Sequence, residues 1–181
     1  MLVILKRSFL NWSIHNFKVL YAAYIRPHLE YAAPVWSPYS KQDINVLENV
    51  QRRATKVVAQ IKNLPYEERL RMLGLTKLVD RRIRGDLILL FKIKNGFNKI
   101  DLFCDVNPTS QIFDGPANNT RGHNFKLSKQ SKTTCNQREH FFTNRIVTHW
   151  NNLPQEVVQA NSINQFKARL DKYLAGPVAR P

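Results

Sequence analysis

The sequence predicts a mainly α protein, a helical bundle with a short β element or hairpin in its C-terminal third. Three observations carry that expectation. Apolar residues recur at three- and four-residue spacing over long stretches, and capping residues stand at the ends of those stretches. Strand-like alternation is confined to Phe125 and Leu127, set between Asn124 and Lys126. A chain of 181 residues with 43% hydrophobic side chains has enough apolar material for a real core.

From Ile14, the residues Phe17, Leu20, Tyr21, Tyr24 and Ile25 fall on one face of a helix that Pro27 should kink or end. Pro34 and Pro38 exclude regular helix between Glu30 and Tyr39. Tyr31, Val35, Trp36 and Tyr39 need burial there, so this connector is expected to pack onto the core. Tyr31, Trp36 and Tyr39 could also stack on unpaired bases, but core packing is the expectation because the same segment must anchor the connector.

Ser40 caps the next helix, with Asp43 approximating a capping box, and its apolar face reads Ile44, Leu47, Val50, Ala54, Val57 or Val58, and Ile61. A short helix follows Asn63 with Pro65 in its first turn and stops at Gly74. Thr76 then caps a longer helix to about Asn95, in which Leu87 to Phe91 is apolar all round and should be buried on more than one side. Gly85 interrupts it at a cost of about 1 kcal/mol relative to Ala, which close approach by another helix would offset.

Residues 98–122, rich in Asp, Asn, Pro and Gly, read as an irregular connector between a helical body at 1–97 and a small C-terminal helical part at 123–181. In that last part Phe142, Ile146, Trp150 and Leu153 share a helix face ended by Asn151, Asn152 and Pro154. A final helix opens on a Ser162–Gln165 capping box and buries Ile163, Phe166, Leu170 and Leu174.

The 28 Lys plus Arg against 13 Asp plus Glu leave a net charge of +15, which favours a polyanionic partner. The excess is spread along the chain: 9 basic against 3 acidic residues over 1–62, 9 against 4 over 63–100, and 10 against 6 over 101–181. No segment is therefore a basic tail, and the charges decorate folded helices. Two cysteines, Cys104 and Cys135, cannot make a disulfide framework and suit a reducing intracellular compartment. The apolar run Leu2–Leu5 is too short for a signal-peptide core or a membrane span, and no membrane partner is expected.

Catalytic chemistry finds little support. Two-metal phosphoryl transfer needs clustered carboxylates, and no two aspartates are adjacent; Glu48 before Arg52 and Asp80 before Arg84 have the spacing of helix-surface ion pairs instead. Cys104, His123, Cys135, His140 and His149 lack the close pairing of a zinc clamp, and no nucleotide-binding loop or nucleophile elbow occurs. No catalytic residue, metal or cofactor is expected.

The basic clusters are the stronger signal. Arg52 and Lys56 lie four apart with Arg53 adjacent, and Lys77, Arg81 and Arg84 form a stripe on the next long helix with Arg82 beside it. Two such stripes could flank one groove and grip a phosphate backbone, because the planar arginine fork donates two parallel hydrogen bonds to phosphate.

Certain runs of residues go further. Tyr24-Ile-Arg-Pro-His-Leu-Glu-Tyr-Ala-Ala-Pro-Val-Trp-Ser-Pro-Tyr, Leu47-Glu-Asn-Val-Gln-Arg-Arg-Ala-Thr-Lys, Tyr66-Glu-Glu-Arg-Leu and Leu73-Gly-Leu come first. Arg81-Arg82-Ile-Arg-Gly-Asp-Leu-Ile, Phe91-Lys-Ile-Lys-Asn-Gly, Thr120-Arg-Gly-His and Trp150-Asn-Asn-Leu-Pro-Gln-Glu-Val-Val follow. In this order they resemble the C-terminal thumb and post-thumb region of jockey-like non-LTR (LINE-type) retrotransposon reverse transcriptases, over about residues 4–173. The resemblance implies a thumb-like body at 1–97 that helps hold template RNA and the DNA being copied, with RNA, DNA and the remainder of the reverse transcriptase as partners, in the nucleus and cytoplasm. The family's palm carries paired catalytic aspartates that are missing here, so the chain reads as a non-catalytic fragment of an RNA-directed DNA polymerase. Met1 falls where the family's helix is already under way, in keeping with that reading. The alternatives are a stand-alone or domesticated helical adaptor for protein partners, and a small hydrolase using His123, His140 or Cys135.

Overall fold

The computed structural model describes residues 2–9, 11–98, 123, 125–127, 129 and 135–176. It is mainly helical, and there is no strand among the described residues. The expected connector at 98–122 lies, but for Asn98, outside them. No described helix is long and apolar enough to cross a membrane. The chain divides into two compact units, residues 1–82 and 83–181.

The first unit opens with α1 (Leu2–Ser8), which turns Leu5 inward. Helix α2 (Ile14–Leu20) is capped by the Ser13 hydroxyl, which accepts from the Asn16 amide at 3.1 Å. The predicted stop at Pro27 does not occur. Tyr21–Ile25 widen into a π-helical turn, with the Arg26 amide donating to the Tyr21 carbonyl, and α3 (Arg26–Glu30) continues through Pro27. The wider turn gives the proline ring room that a regular α-turn denies it. Phe17, Tyr21, Ile25 and Leu29 still reach the core, with the Phe17 and Tyr21 rings stacked at 5.4 Å.

The connector corrects the sequence reading. The chain turns through Ala32, at φ +51°, into the four-residue α4 (Ala33–Trp36), whose first turn tolerates Pro34. Only Ala33 packs inward. Tyr31 is 81% exposed and Val35 72%, and Trp36 and Tyr39 are also exposed. Leu29 at the end of α3 and Ala33 at the start of α4 are the buried residues here.

Ser40 caps α5 (Lys41–Thr55) as expected, accepting from the Gln42 amide at 3.2 Å. A string of i+3 turns from Val57 to Leu64 brings Val58 and Ile61 into the core, followed by α6 (Tyr66–Leu73). Gly74, at φ +63°, ends α6 in the left-handed region, with the Leu75 amide reaching back to the Leu70 carbonyl at 2.8 Å. The core of this unit also contains a polar knot on α5. The buried Glu48 accepts from the Tyr66 hydroxyl and, at 3.1 Å, from the Leu78 amide. The fully buried Gln51 accepts from the Tyr21 hydroxyl and donates to the Tyr66 oxygen at 2.9 Å and the Thr76 carbonyl at 3.0 Å. Burial pushes both phenols well above their ordinary pKa, helped at Tyr66 by its bond to Glu48.

Helix α7 (Leu78–Lys94) places Leu78 in the first core and Leu87, Ile88, Leu90 and Phe91 in the second, so the expected body at 1–97 shares its last helix between two cores. Gly85 is exposed, and a β-carbon there would meet nothing within 4 Å, so the close helix approach expected at this glycine is not what it serves.

In the second unit the described helices after α7 are α8 (Asn136–Glu139), α9 (Phe142–Asn151), α10 (Gln155–Val158) and α11 (Ile163–Ala175). Phe142, Ile146, Trp150 and Leu153 are buried as their spacing predicts. Ser162 caps α11 by accepting from the Gln165 amide, and the Gln165 side chain accepts from the Asn161 amide at 2.7 Å. Phe91 stacks on Phe166 at 4.2 Å, with Trp150 on the same ring at 6.2 Å. The predicted short β element is not formed by the described residues 125–127. The Asn151 amide pairs with both backbone groups of Leu127, at 2.8 and 2.9 Å, and the Trp150 indole donates to the Phe125 carbonyl at 2.7 Å. Side chains meet the hydrogen-bonding needs that a neighbouring strand would have met.

Candidate nucleic-acid interface

Helix α5 has two working faces. Its inner face carries Glu48, Gln51, Ala54 and Thr55, so the Glu48–Arg52 surface ion pair expected from spacing is not formed. Arg52 instead lies over the Tyr66 ring, 4.7 Å from its centroid. Stacking holds a guanidinium by its face and leaves its N–H edge available to an acceptor. Arg52, Arg53 and the C-cap residue Lys56 are all exposed, and among the described residues none of the three makes an ion pair. They gather at the helix C-terminus, where the negative end of the macrodipole favours cations.

The second basic stripe has a different fate. Lys77 is exposed and pairs with the exposed Glu67 at 3.5 Å. The backbone amide of Glu67 first, and Lys77 after it, hold that carboxyl below the usual carboxylate range. Arg81 clasps Glu30 in a two-pronged, half-buried pair, Nε to Oε1 and Nη2 to Oε2, the latter at 3.0 Å. Arg82 is buried, at 5% exposure. Arg84, in the second unit, makes a two-pronged pair with Asp171 at 2.6 and 2.9 Å, which holds the Asp171 carboxyl below its ordinary range. Of the seven residues singled out from sequence, Arg52, Arg53 and Lys56 stand together in solvent and Lys77 makes a surface pair. Arg82 is buried, Arg81 is held in a half-buried pair and Arg84 in a surface pair with Asp171.

Spacing on the long helices missed other exposed cations of the first unit. Lys62 lies in the turns after α5, and the Lys18 ammonium sits within 3.9 Å of where a Gly74 β-carbon would be, at the end of α6. Lys62 on a turn has no helical period and Lys18 is a single cation on the short α2, so only the net excess signals them. Arg69, by contrast, is buried and structural, donating to the Thr55 hydroxyl at 3.1 Å and the Leu64 carbonyl at 2.9 Å.

The histidines and Cys135 do not assemble a centre. His123 accepts from the Phe125 amide at Nδ1, at 3.1 Å, which leaves Nε2 to donate to the Trp150 carbonyl at 3.0 Å. Both nitrogens are thus spent on structure, and burial lowers the pKa of this ring and of His149. Cys135 is exposed beside Gln137 at 3.1 Å, and Cys104 lies outside the described residues. Among the described residues no group of three His, Cys, Asp or Glu is placed to hold a metal ion.

Fold and surface together define a helical protein with a strongly basic, solvent-facing end on α5. No family model, curated protein or solved structure matches the chain.

Proposed function

We propose that the protein is a nucleic-acid-binding helical module that grips a phosphate backbone without a catalytic centre of its own. The observation that carries this reading is the exposed Arg52, Arg53 and Lys56 at the end of α5, in a chain of net charge +15. Three cations with no ion pair among the described residues are suited to phosphates, and each phosphate neutralised releases counterions. The ordered motifs that resemble the thumb and post-thumb region of LINE-type reverse transcriptases supply the context: a non-catalytic part of an RNA-directed DNA polymerase that holds template and product, acting inside the cell alongside the rest of that enzyme. Lys77 extends the gripping set, since an exposed ion pair is worth at most about 1 kcal/mol and yields readily to a phosphate.

The test is fluorescence anisotropy with a labelled RNA–DNA hybrid duplex and the full chain across a salt series. Binding that weakens linearly in log K against log salt is the expected result. No binding even at about 50 mM salt would refute the reading.

A further inference from the structure

The exposed connector carries a second surface that backbone gripping does not use. Tyr24, Tyr31, Val35, Trp36 and Tyr39 are all exposed large side chains within one short stretch, and four of the five are aromatic. Tyr24 stands on the π-helical turn that leads into α3, and Tyr31 is the residue that ends α3. The Trp36 indole N–H donates to the Tyr31 carbonyl at 2.5 Å, which restricts the indole's rotation and ties α4 to the end of α3. Soluble proteins do not ordinarily spend this much ring surface on water, so such a patch marks a contact.

Charge selects the occupant. Residues 1–42 contain one acidic side chain, Glu30, and it is clasped by Arg81; the same stretch holds Lys6, Arg7, Lys18, Arg26 and Lys41. The nearest exposed carboxylate in sequence is Asp43, beyond Tyr39 on the first turn of α5. A second copy of this chain would bring another +15 and be repelled. The partner that matches flat rings set among cations has flat apolar faces on an anionic backbone.

We propose that Tyr24, Tyr31, Trp36 and Tyr39 form a stacking surface for the unpaired bases of a single-stranded nucleic acid. The proposal rests on the nucleic-acid reading for its partner and adds to it a second, base-contacting surface.

The experiment compares three ligands on the full chain: a single-stranded oligonucleotide, the same backbone made abasic, and a duplex. Tyr31→Leu combined with Trp36→Leu keeps the patch apolar and removes the rings; Tyr31→Phe combined with Trp36→Phe keeps rings and loses the same indole donor. The leucine pair is expected to bind the base-bearing strand about 10- to 100-fold more weakly, with abasic and duplex binding changed less than about 2-fold, and the phenylalanine pair to restore it. Circular dichroism melting confirms that both pairs are folded. Unchanged single-strand binding by the leucine pair would overturn the proposal in favour of an apolar protein or lipid contact, and an equal loss on the abasic strand would overturn it as well. Failure of the wild-type chain to bind any of the three ligands would instead refute the function itself.

Discussion

Helices α5 and α7 carry basic stripes that look alike in sequence and behave differently in the fold. The α5 stripe, Arg52, Arg53 and Lys56, stays in solvent without an ion pair among the described residues. Along α7, Arg81 is clasped by Glu30, Arg82 is buried and Arg84 is clasped by Asp171. What separates them is the reach of carboxylates from elsewhere in the chain: Glu30 lies 51 residues from Arg81, and Asp171 lies 87 from Arg84. The nearest carboxylate on α5, Glu48, is turned inward to Tyr66 and Leu78, which leaves Arg52 without its i−4 partner. Arginines at helical spacing therefore say that a face is basic, and the distant acids decide whether it is available.

That contrast can be broken first on the inner side of α5. Glu48→Ala leaves the Tyr66 hydroxyl and the Leu78 amide short of an acceptor in the core, and should lower unfolding stability by about 2–4 kcal/mol in urea titration. A loss under about 0.5 kcal/mol would mean the knot is not what holds α5 to α7. Arg81→Ala should cost about 1–2 kcal/mol of stability, reduced from a buried pair's worth because both partners are partly exposed, while duplex affinity of the folded protein stays within about 2-fold. A large affinity loss at unchanged stability would return Arg81 to the gripping surface.

Acid should weaken the second unit through its histidines. Burial holds the folded pKa of His123 and His149 below 6.5, so both are neutral in folded and unfolded chains above that pH and contribute no slope. As pH falls below about 6.5 the unfolded chain takes up protons first, and stability declines until the folded pKa values are reached. Melting temperature should drop between pH 7.5 and 5.5, and His123→Gln should flatten the drop; an identical pH profile would assign the effect elsewhere. The smallest change is favourable: Gly85→Ala should add about 0.5–1 kcal/mol, because the new methyl meets nothing within 4 Å and helix propensity improves. Destabilisation in a denaturant melt would show that Gly85 serves a contact after all.

Several helix ends were legible from local signals, though not the start of α7, which begins at Leu78, one residue beyond where a Thr76 cap would put it. Ser40, Ser162 and Gly74 stand where their chemistry demands, and the apolar face of α9 is buried as its spacing implies. Legibility failed where the partner is distant or the backbone departs from a regular period. The π-helical turn before Pro27 could not be read from a proline that usually ends helices. Glu48 and Gln51 look like surface residues until Tyr21, Tyr66 and Leu78 are brought to them. Tyr31 and Trp36 are expected inside because their segment must anchor the connector, yet Ala33 alone of that segment is buried. The α5 cluster was visible as i, i+4 charge; its separation from the α7 arginines was not, since no spacing rule contains Glu30 or Asp171.

The most direct test compares salt dependence across the two stripes. Arg52→Ala, Arg53→Ala and Lys56→Ala combined should lower the slope of log K against log salt for duplex binding by about 2–3, while Arg81→Ala with Arg84→Ala leaves the wild-type slope in the folded protein. A triple variant with the wild-type slope, or an α7 pair that lowers it as much, would contradict the assignment of backbone gripping to the end of α5.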